Sequence, residues 1–266
     1  MQLYRGLPIL TNQPEHPTRL VGIWELDHEA SVAEYADLAH AAVDEARGEG
    51  RTPVVAGGTG LYFRAALVDL DVPPAVSSEL REHWSRVYDR LGAEAAHAAL
   101  AERDPLAAAA VHPNDRRRVV RALELAAVGS SLRPRRDRLW TNETRAPTVV
   151  VGLDLPREEL VRRIDLRTRE MFRRGVAEEA RAALRGPISS TAAKVIGLRE
   201  AAELPEEEAI EAVAQKTRRY AAYQAKWMRR IPGLVTVTGD RPPRDVALAV
   251  LDLASRREPL PPRRAG

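Results

Sequence analysis

The 266 residues are 44% hydrophobic, enough for a sizeable core, and no run approaches the roughly 18 consecutive apolar residues of a membrane span. Zero cysteines exclude disulfides and thiolate metal sites, and the 6 histidines show no metal-ligand spacing, so no protein-held metal site is expected. The 41 Lys+Arg, mostly Arg, against 38 Asp+Glu leave a net charge of only +3, which permits an RNA partner without requiring one. With no secretory pattern at the N-terminus, a cytoplasmic protein is expected.

Ser31 as N-cap with Glu34 as its capping-box partner predicts a helix through Ala46 that stops at Gly48. Pro53 to Ala56 reads as a short strand, Gly57-Gly58-Thr59-Gly60 as a turn and Leu61-Tyr62-Phe63 as a helix start, the strand–turn–helix unit of an α/β sheet. Such a turn aims backbone N–H groups at an anion, because glycine tolerates positive φ; the pattern reads equally as an ordinary tight βα turn. From Val76 to Val128 there is no strand signal, only alanine-rich helical stretches broken at Asp104-Pro105 and His112-Pro113, which predicts a helical insertion. Pro134 with Arg133, Arg135, Arg136 and Arg138 marks a charged linker back to the sheet. Val149 to Leu153 and Leu234 to Thr238 read as buried strands, Glu158 to Arg185 and Glu206 to Ile231 as helices, and Pro259 to Gly266 as a disordered tail.

Two basic stretches stand out. After His112-Pro113-Asn114-Asp115, a helix opens with Arg116, Arg117 and Arg118, where cations oppose the macrodipole. Arg117 and Arg121, four apart, share one face with Arg118 beside them, an arrangement for a phosphate backbone or, alternatively, a solvated face paired to Asp115 and Glu124. The helix from Glu206 carries an apolar stripe of Ile210, Val213, Tyr220, Trp227 and Met228 and a basic stripe of Lys216, Arg219, Lys226 and Arg230. Arg218 stands off that basic stripe, nearer the apolar boundary, suited either to a pyrophosphate or to a structural ion pair.

In this order the motifs resemble the bacterial tRNA dimethylallyltransferases, or isopentenyltransferases. Gln2-Leu3-Tyr4-Arg5-Gly6 is similar to the end of the family's D-S-x-Q-x-Y-x-G motif, and Thr11 and Pro14 fall in its G-T-A-K-P segment. Gly57-Gly58-Thr59-Gly60-Leu61-Tyr62 resembles G-G-T-x-L-Y, and Asp104 to Glu124 follows D-P-x-A-A-x-x-x-H-P-N-D-x-x-R-x-x-R-A-L-E. Ile196-Gly197-Leu198-Arg199-Glu200, then Thr217-Arg218-Arg219-Tyr220-Ala221 with Gln224 and Trp227, resemble the two C-terminal signatures, so the likeness spans nearly the whole chain.

The resemblance implies an α/β fold, a P-loop-NTPase-like parallel sheet core lacking its first strand and P-loop, with a helical insertion domain. Residues 1–74 and 130–257 are the expected catalytic core, 75–129 the insertion that contacts tRNA, and 258–266 the tail. It implies transfer of a dimethylallyl group from dimethylallyl diphosphate to N6 of the adenosine 3′ of the anticodon, with Mg²⁺ bound alongside the diphosphate, by a protein expected to be monomeric. Arg218 resembles the catalytic arginine that stabilises pyrophosphate. Thr59 and Arg81 resemble the threonine and arginine that contact tRNA, Arg117, Arg118 and Arg121 belong to the tRNA-binding stretch, Gln2 remains from the substrate-adenine motif, and Gly57 and Gly58 are the expected cofactor-side glycines. The sequence departs from the family where G-T-A-K-P has Leu10 and Gln13, and where A-K-R-Q reads Ala221-Ala222-Tyr223-Gln224. No G-x-x-x-x-G-K-[ST] occurs, and the aspartate that would take the N6 proton falls ahead of Met1, so an assigned start downstream of the true one is expected. The alternatives are a non-catalytic RNA-binding protein and a P-loop nucleotide phosphotransferase.

Overall fold

A computed structural model describes residues 2–74, 76–133 and 138–256; the linker residues Pro134, Arg135 and Arg136 and the tail from Pro259 to Gly266 lie outside the described residues. In chain order the elements are α1 (Val32–Gly48), α2 (Gly60–Leu67), α3 (Ser78–Leu91), α4 (Ala93–Arg103), α5 (Pro105–Ala109), α6 (Arg116–Ala127) and β1 (Val151–Asp154). They continue with α7 (Arg157–Arg173), α8 (Val176–Leu184), a 3₁₀ turn (Ala192–Lys194), α9 (Leu198–Glu203), α10 (Glu206–Met228), β2 (Val235–Thr238) and α11 (Pro243–Arg256). Among the described residues no helix is long and apolar enough to cross a membrane. The chain divides into two units, Met1–Ala30 with Glu34–Val68 and Trp140–Gly266 in the first, and Ser31–Ala33 with Asp69–Leu139 in the second.

The second unit is helical because its sequence punctuates itself. Ser77 caps α3 by accepting the Leu80 N–H (3.2 Å), and Gly92, at φ 82°, turns the chain from α3 into α4. Asp104 accepts the Ala107 N–H (2.9 Å) ahead of Pro105, which opens α5, and Asp115 accepts the Arg118 N–H (3.1 Å) to open α6. Trp84, Tyr88, Leu100, Val119 and Leu123 form the core these helices enclose.

In the first unit, β1 and β2 pair in parallel, Val151 opposite Val235 through Asp154 opposite Thr238. The core gathers Leu7 and Leu10 with Met171 and Phe172 of α7, Val176 and Ala180 of α8, Leu198 of α9, and Ile210 and Val213 of α10. Glu179 ties the first residues into this core, its carboxylate accepting the N–H groups of Ile9 (2.9 Å) and Leu10 (2.8 Å). Gly197, at φ 87°, lies where an added Cβ would meet Val213 Cγ2 at 2.9 Å, so glycine is required there for both angle and space.

Three expectations are corrected. Pro53 to Ala56 forms no strand; a parallel strand exists through its ladder, none of the described strands runs beside this segment, and Val54 is 87% exposed. The single helix expected from Glu158 to Arg185 is two, because Gly175 adopts φ 90° and carries the chain left-handed between α7 and α8. The apolar stripe of α10 is buried only in its first half; Tyr220, Trp227 and Met228 are half-exposed, since the second half leaves the core.

At the start of α7, Arg162 and Arg163 both hydrogen-bond the carboxylate of Glu159 and hold its pKa at about 2, below the ordinary 4.5. Because the pKa is depressed on folding, the contribution is complete above the ordinary carboxylate range and is lost as pH falls toward 2. An NMR titration is expected to place the Glu159 midpoint near 2 and to return it to the ordinary range when Arg162 and Arg163 are replaced by alanine.

Candidate active site

The glycine turn sits on α10. Thr59, extended at φ −86° and ψ 104°, stands just before α2, and its hydroxyl meets the Tyr220 hydroxyl at 2.6 Å. A Cβ on Gly60 would fall inside the Trp227 indole, and one on Gly58 would strike the Gln224 amide. Tyr220, Gln224 and Trp227 are spaced i, i+4, i+7, one face of the helix, and the turn lies along that face. None of Gly57, Gly58 and Gly60 has positive φ, so the conformational reason expected for them is corrected. Close approach of α10 explains Gly58 and Gly60, whereas the space around Gly57 is open.

Arg218 lies two positions from Tyr220 and so projects from a different face of the helix. Its Nη1 donates to Asp165 of α7 (2.7 Å) and its Nη2 to Glu211 (2.5 Å), with the Arg218 side chain 27% exposed. Two carboxylates therefore fix the plane of the guanidinium. Of the basic stripe, Lys216 pairs with Glu200 (2.5 Å) and Arg230 lies over the Trp140 ring with Cζ 3.6 Å from its centroid. Gln2 is elsewhere in this unit, its amide donating to the carbonyls of Thr11 (3.2 Å) and Asn12 (2.6 Å).

In the second unit the arginines of α6 divide into held and free. Arg116 forks onto Asp89 (2.7 and 2.6 Å), which raises the arginine's pKa and lowers the aspartate's, chiefly through those hydrogen bonds. Arg121 donates to Glu124 (2.9 Å) and to the Pro74 carbonyl (2.7 Å), and Arg81 Nε lies 3.6 Å from the other Glu124 oxygen. Glu124 is 2% exposed, so Arg81 and Arg121 are positioned by one buried carboxylate. Arg117 and Arg118 are exposed and form no ion pair among the described residues. Arg117 and Arg121 share one face of α6 at the expected spacing but differ in their partners, Arg121 sharing Glu124 with Arg81 while Arg117 and Arg118 stand in solvent.

The Thr59–Tyr220 contact and Trp140 were beyond sequence reasoning: the first joins residues 161 positions apart, and the second gains significance only through its neighbours. Among the described residues no three His, Asp or Glu side chains gather as a metal site.

The family model described as IPP transferase matches residues 2–231. A tRNA dimethylallyltransferase of Anaeromyxobacter dehalogenans strain 2CP-1 is 40% identical over 275 residues, spanning 98% of this chain and 88% of that protein. That of Thermobifida fusca is 38% identical over 255 residues, spanning 91% and 79%. Among solved structures, the full-length tRNA isopentenylpyrophosphate transferase of Bacillus halodurans superposes with a TM-score of 0.63 at 29% identity, covering 96% of this chain and 84% of the other. A eukaryotic dimethylallyltransferase acting on tRNA shares the fold, with a TM-score of 0.71 at 22% identity, covering 100% of this chain and 74% of the other. With its α/β fold, its small parallel sheet and a match over most of its length, the chain belongs to the IPP transferase family, whose curated relatives are tRNA dimethylallyltransferases.

Proposed function

We propose that this chain transfers a dimethylallyl group from dimethylallyl diphosphate to N6 of the adenosine 3′ of the anticodon, working on the tRNA anticodon stem-loop as a cytoplasmic monomer. The observation that supports this reading most is the seating of Thr59 and its glycine turn on the helix that carries Arg218. In the reaction the N6 lone pair forms a bond to the allylic carbon, the carbon–oxygen bond breaks with its electrons leaving on diphosphate, and the N6 proton passes to a carboxylate of the enzyme acting as general base. Arg218, held by Asp165 and Glu211, meets the charge that develops on the leaving group without having to reorganise. Thr59 contacts the nucleotide to be modified, which must leave its stack to be reached, and Gly57 and Gly58 of the same turn lie on the diphosphate side. In the second unit Arg81, Arg117, Arg118 and Arg121 take phosphates of the stem, and in the first unit Gln2, whose amide also bonds the Thr11 and Asn12 carbonyls, contacts the substrate adenine.

Bound Mg²⁺ neutralises diphosphate charge in such chemistry. Mg²⁺ bound with the substrate's phosphates is part of the same proposal, and the steps above use only protein groups.

The test uses the protein in its native full length with unmodified tRNA and dimethylallyl diphosphate. Mass spectrometry of the tRNA is expected to show one added C₅H₈ on the adenosine beside the anticodon; unchanged tRNA sinks the proposal. Replacing Arg117 and Arg118 together by alanine is expected to weaken tRNA binding and to reduce the slope of log affinity against log salt by about 2, one for each phosphate left without its arginine. An unchanged slope would remove that pair from the RNA surface.

A further inference from the structure

We propose that the outer edge of α10, centred on Tyr223 with Trp227 and Trp140, is a stacking surface for an unpaired nucleobase of the RNA substrate; this rests on the function proposed above. Four rings follow one another here. Tyr220 and Tyr223 lie 6.3 Å apart between centroids at 28°, Tyr223 and Trp227 6.3 Å apart at 67°, and Trp227 and Trp140 4.8 Å apart at 37°. Arg230 covers Trp140 with its Cζ 3.6 Å from the ring centroid, so this indole contacts both a guanidinium and a second, tilted indole. Tyr223, at the open part of this series, is 50% exposed in a protein with only 12 aromatic residues of the Phe, Trp and Tyr types, 2, 4 and 6 respectively. Tyr223 continues the rings of Tyr220 and Trp227 along the helix, so what faces water is a contiguous aromatic patch and not a stray side chain, and such a patch marks a contact surface.

The charges around it choose the partner. From Lys216 to Arg230 the chain holds six cations, Lys216, Arg218, Arg219, Lys226, Arg229 and Arg230, and no carboxylate. Arg219, Lys226 and Arg229 are exposed and have no ion pair among the described residues. An apolar protein surface gains nothing from these cations, and an acidic one gains nothing from the ring. A single-stranded nucleotide uses both, its base on the aromatic face and its phosphate on the flanking cation. A base within a duplex offers no free face, so the ligand is a loop nucleotide. Gln224, next to Tyr223, is the residue that touches Gly58, which puts this surface beside the turn assigned to the modified nucleotide.

The full chain, with Trp24 and Trp84 replaced by phenylalanine so that Trp140 and Trp227 supply the emission, is titrated with a short single-stranded RNA of anticodon-loop sequence. Quenching is expected on binding. Tyr223→Ala is expected to weaken binding by roughly 5- to 100-fold with the salt slope unchanged, and Tyr223→Phe to restore it, since the ring and not the hydroxyl stacks. Arg219→Ala with Lys226→Ala is expected to lower the salt slope instead. Equal affinity in Tyr223→Ala, with unchanged circular dichroism, overturns the stacking surface while leaving the transferase reading intact. So does an equal loss of affinity for a polyanion without bases, which makes the surface a general anion site. Wild-type chain that binds no RNA sinks both.

Discussion

Arg218→Gln is expected to lower kcat for prenyl transfer by roughly 10²- to 10³-fold while leaving tRNA affinity near its starting value. The reason lies in when the side chain matters. A cation aimed at a leaving diphosphate acts on charge that appears as the bond breaks, so its loss falls on the chemical step and not on RNA binding. Stability is expected to change by no more than ~1 kcal/mol, because both carboxylate partners are well exposed, Asp165 at 45% and Glu211 at 71%. Single-turnover transfer rates beside tRNA binding isotherms decide the matter. Equal losses in rate and affinity reassign Arg218 to the RNA surface, and an unchanged rate makes its two ion pairs purely structural.

Gly60→Ala is expected to cost about 1–3 kcal/mol and to lower Tm by several degrees, because the new methyl has to displace the Trp227 indole from the turn. Gly58→Ala is the informative control. Its methyl meets only the far end of the Gln224 side chain, which rotates away at little cost, so its melting curve should nearly overlay the wild type. The pair separates a helix packed on the turn from one merely near it. If both substitutions melt like wild type, α10 does not seat on the turn in solution, and the joint placement of Thr59 and Tyr220 is lost with it.

What the sequence discloses and what it withholds follow from how local each cause is. The breaks at Asp104-Pro105 and His112-Pro113 are legible because a capping carboxylate and a proline act within a turn of where they stand, and the helices of the second unit start and stop there. The runs from Val149 and Leu234 are legible as apolar segments too short for helices, and they pair as β1 and β2, but not as the buried strands expected, since within the two strands only Gly152 and Val237 are buried and Leu153 is 55% exposed. Pro53 to Ala56 has the same local look but lacks a neighbouring strand, which no window of sequence reveals. Gly175 hides inside a helical pattern because Met171, Phe172 and Val176 keep the apolar spacing across it. At the candidate site, residue types were readable and partners were not. Nothing near Arg121 announces that Pro74 and Glu124 hold it while Arg117 and Arg118 stay open. The glycine pattern of the turn is legible but its cause is not: space for α10, and not backbone angle, demands Gly58 and Gly60.

The grip of Glu179 on Ile9 and Leu10 joins residues that are made far apart in time. Those two N–H groups wait for an acceptor 170 and 169 residues further on, and Leu7 and Leu10 wait for walls supplied by α7 to α10. Residues 69–139 close on themselves meanwhile, with capped helices and short connections. The helices of the second unit need only one another for their core, whereas residues 7–10 cannot complete their packing until translation has passed Val213. Over that interval their apolar side chains stay open to chaperones and to each other.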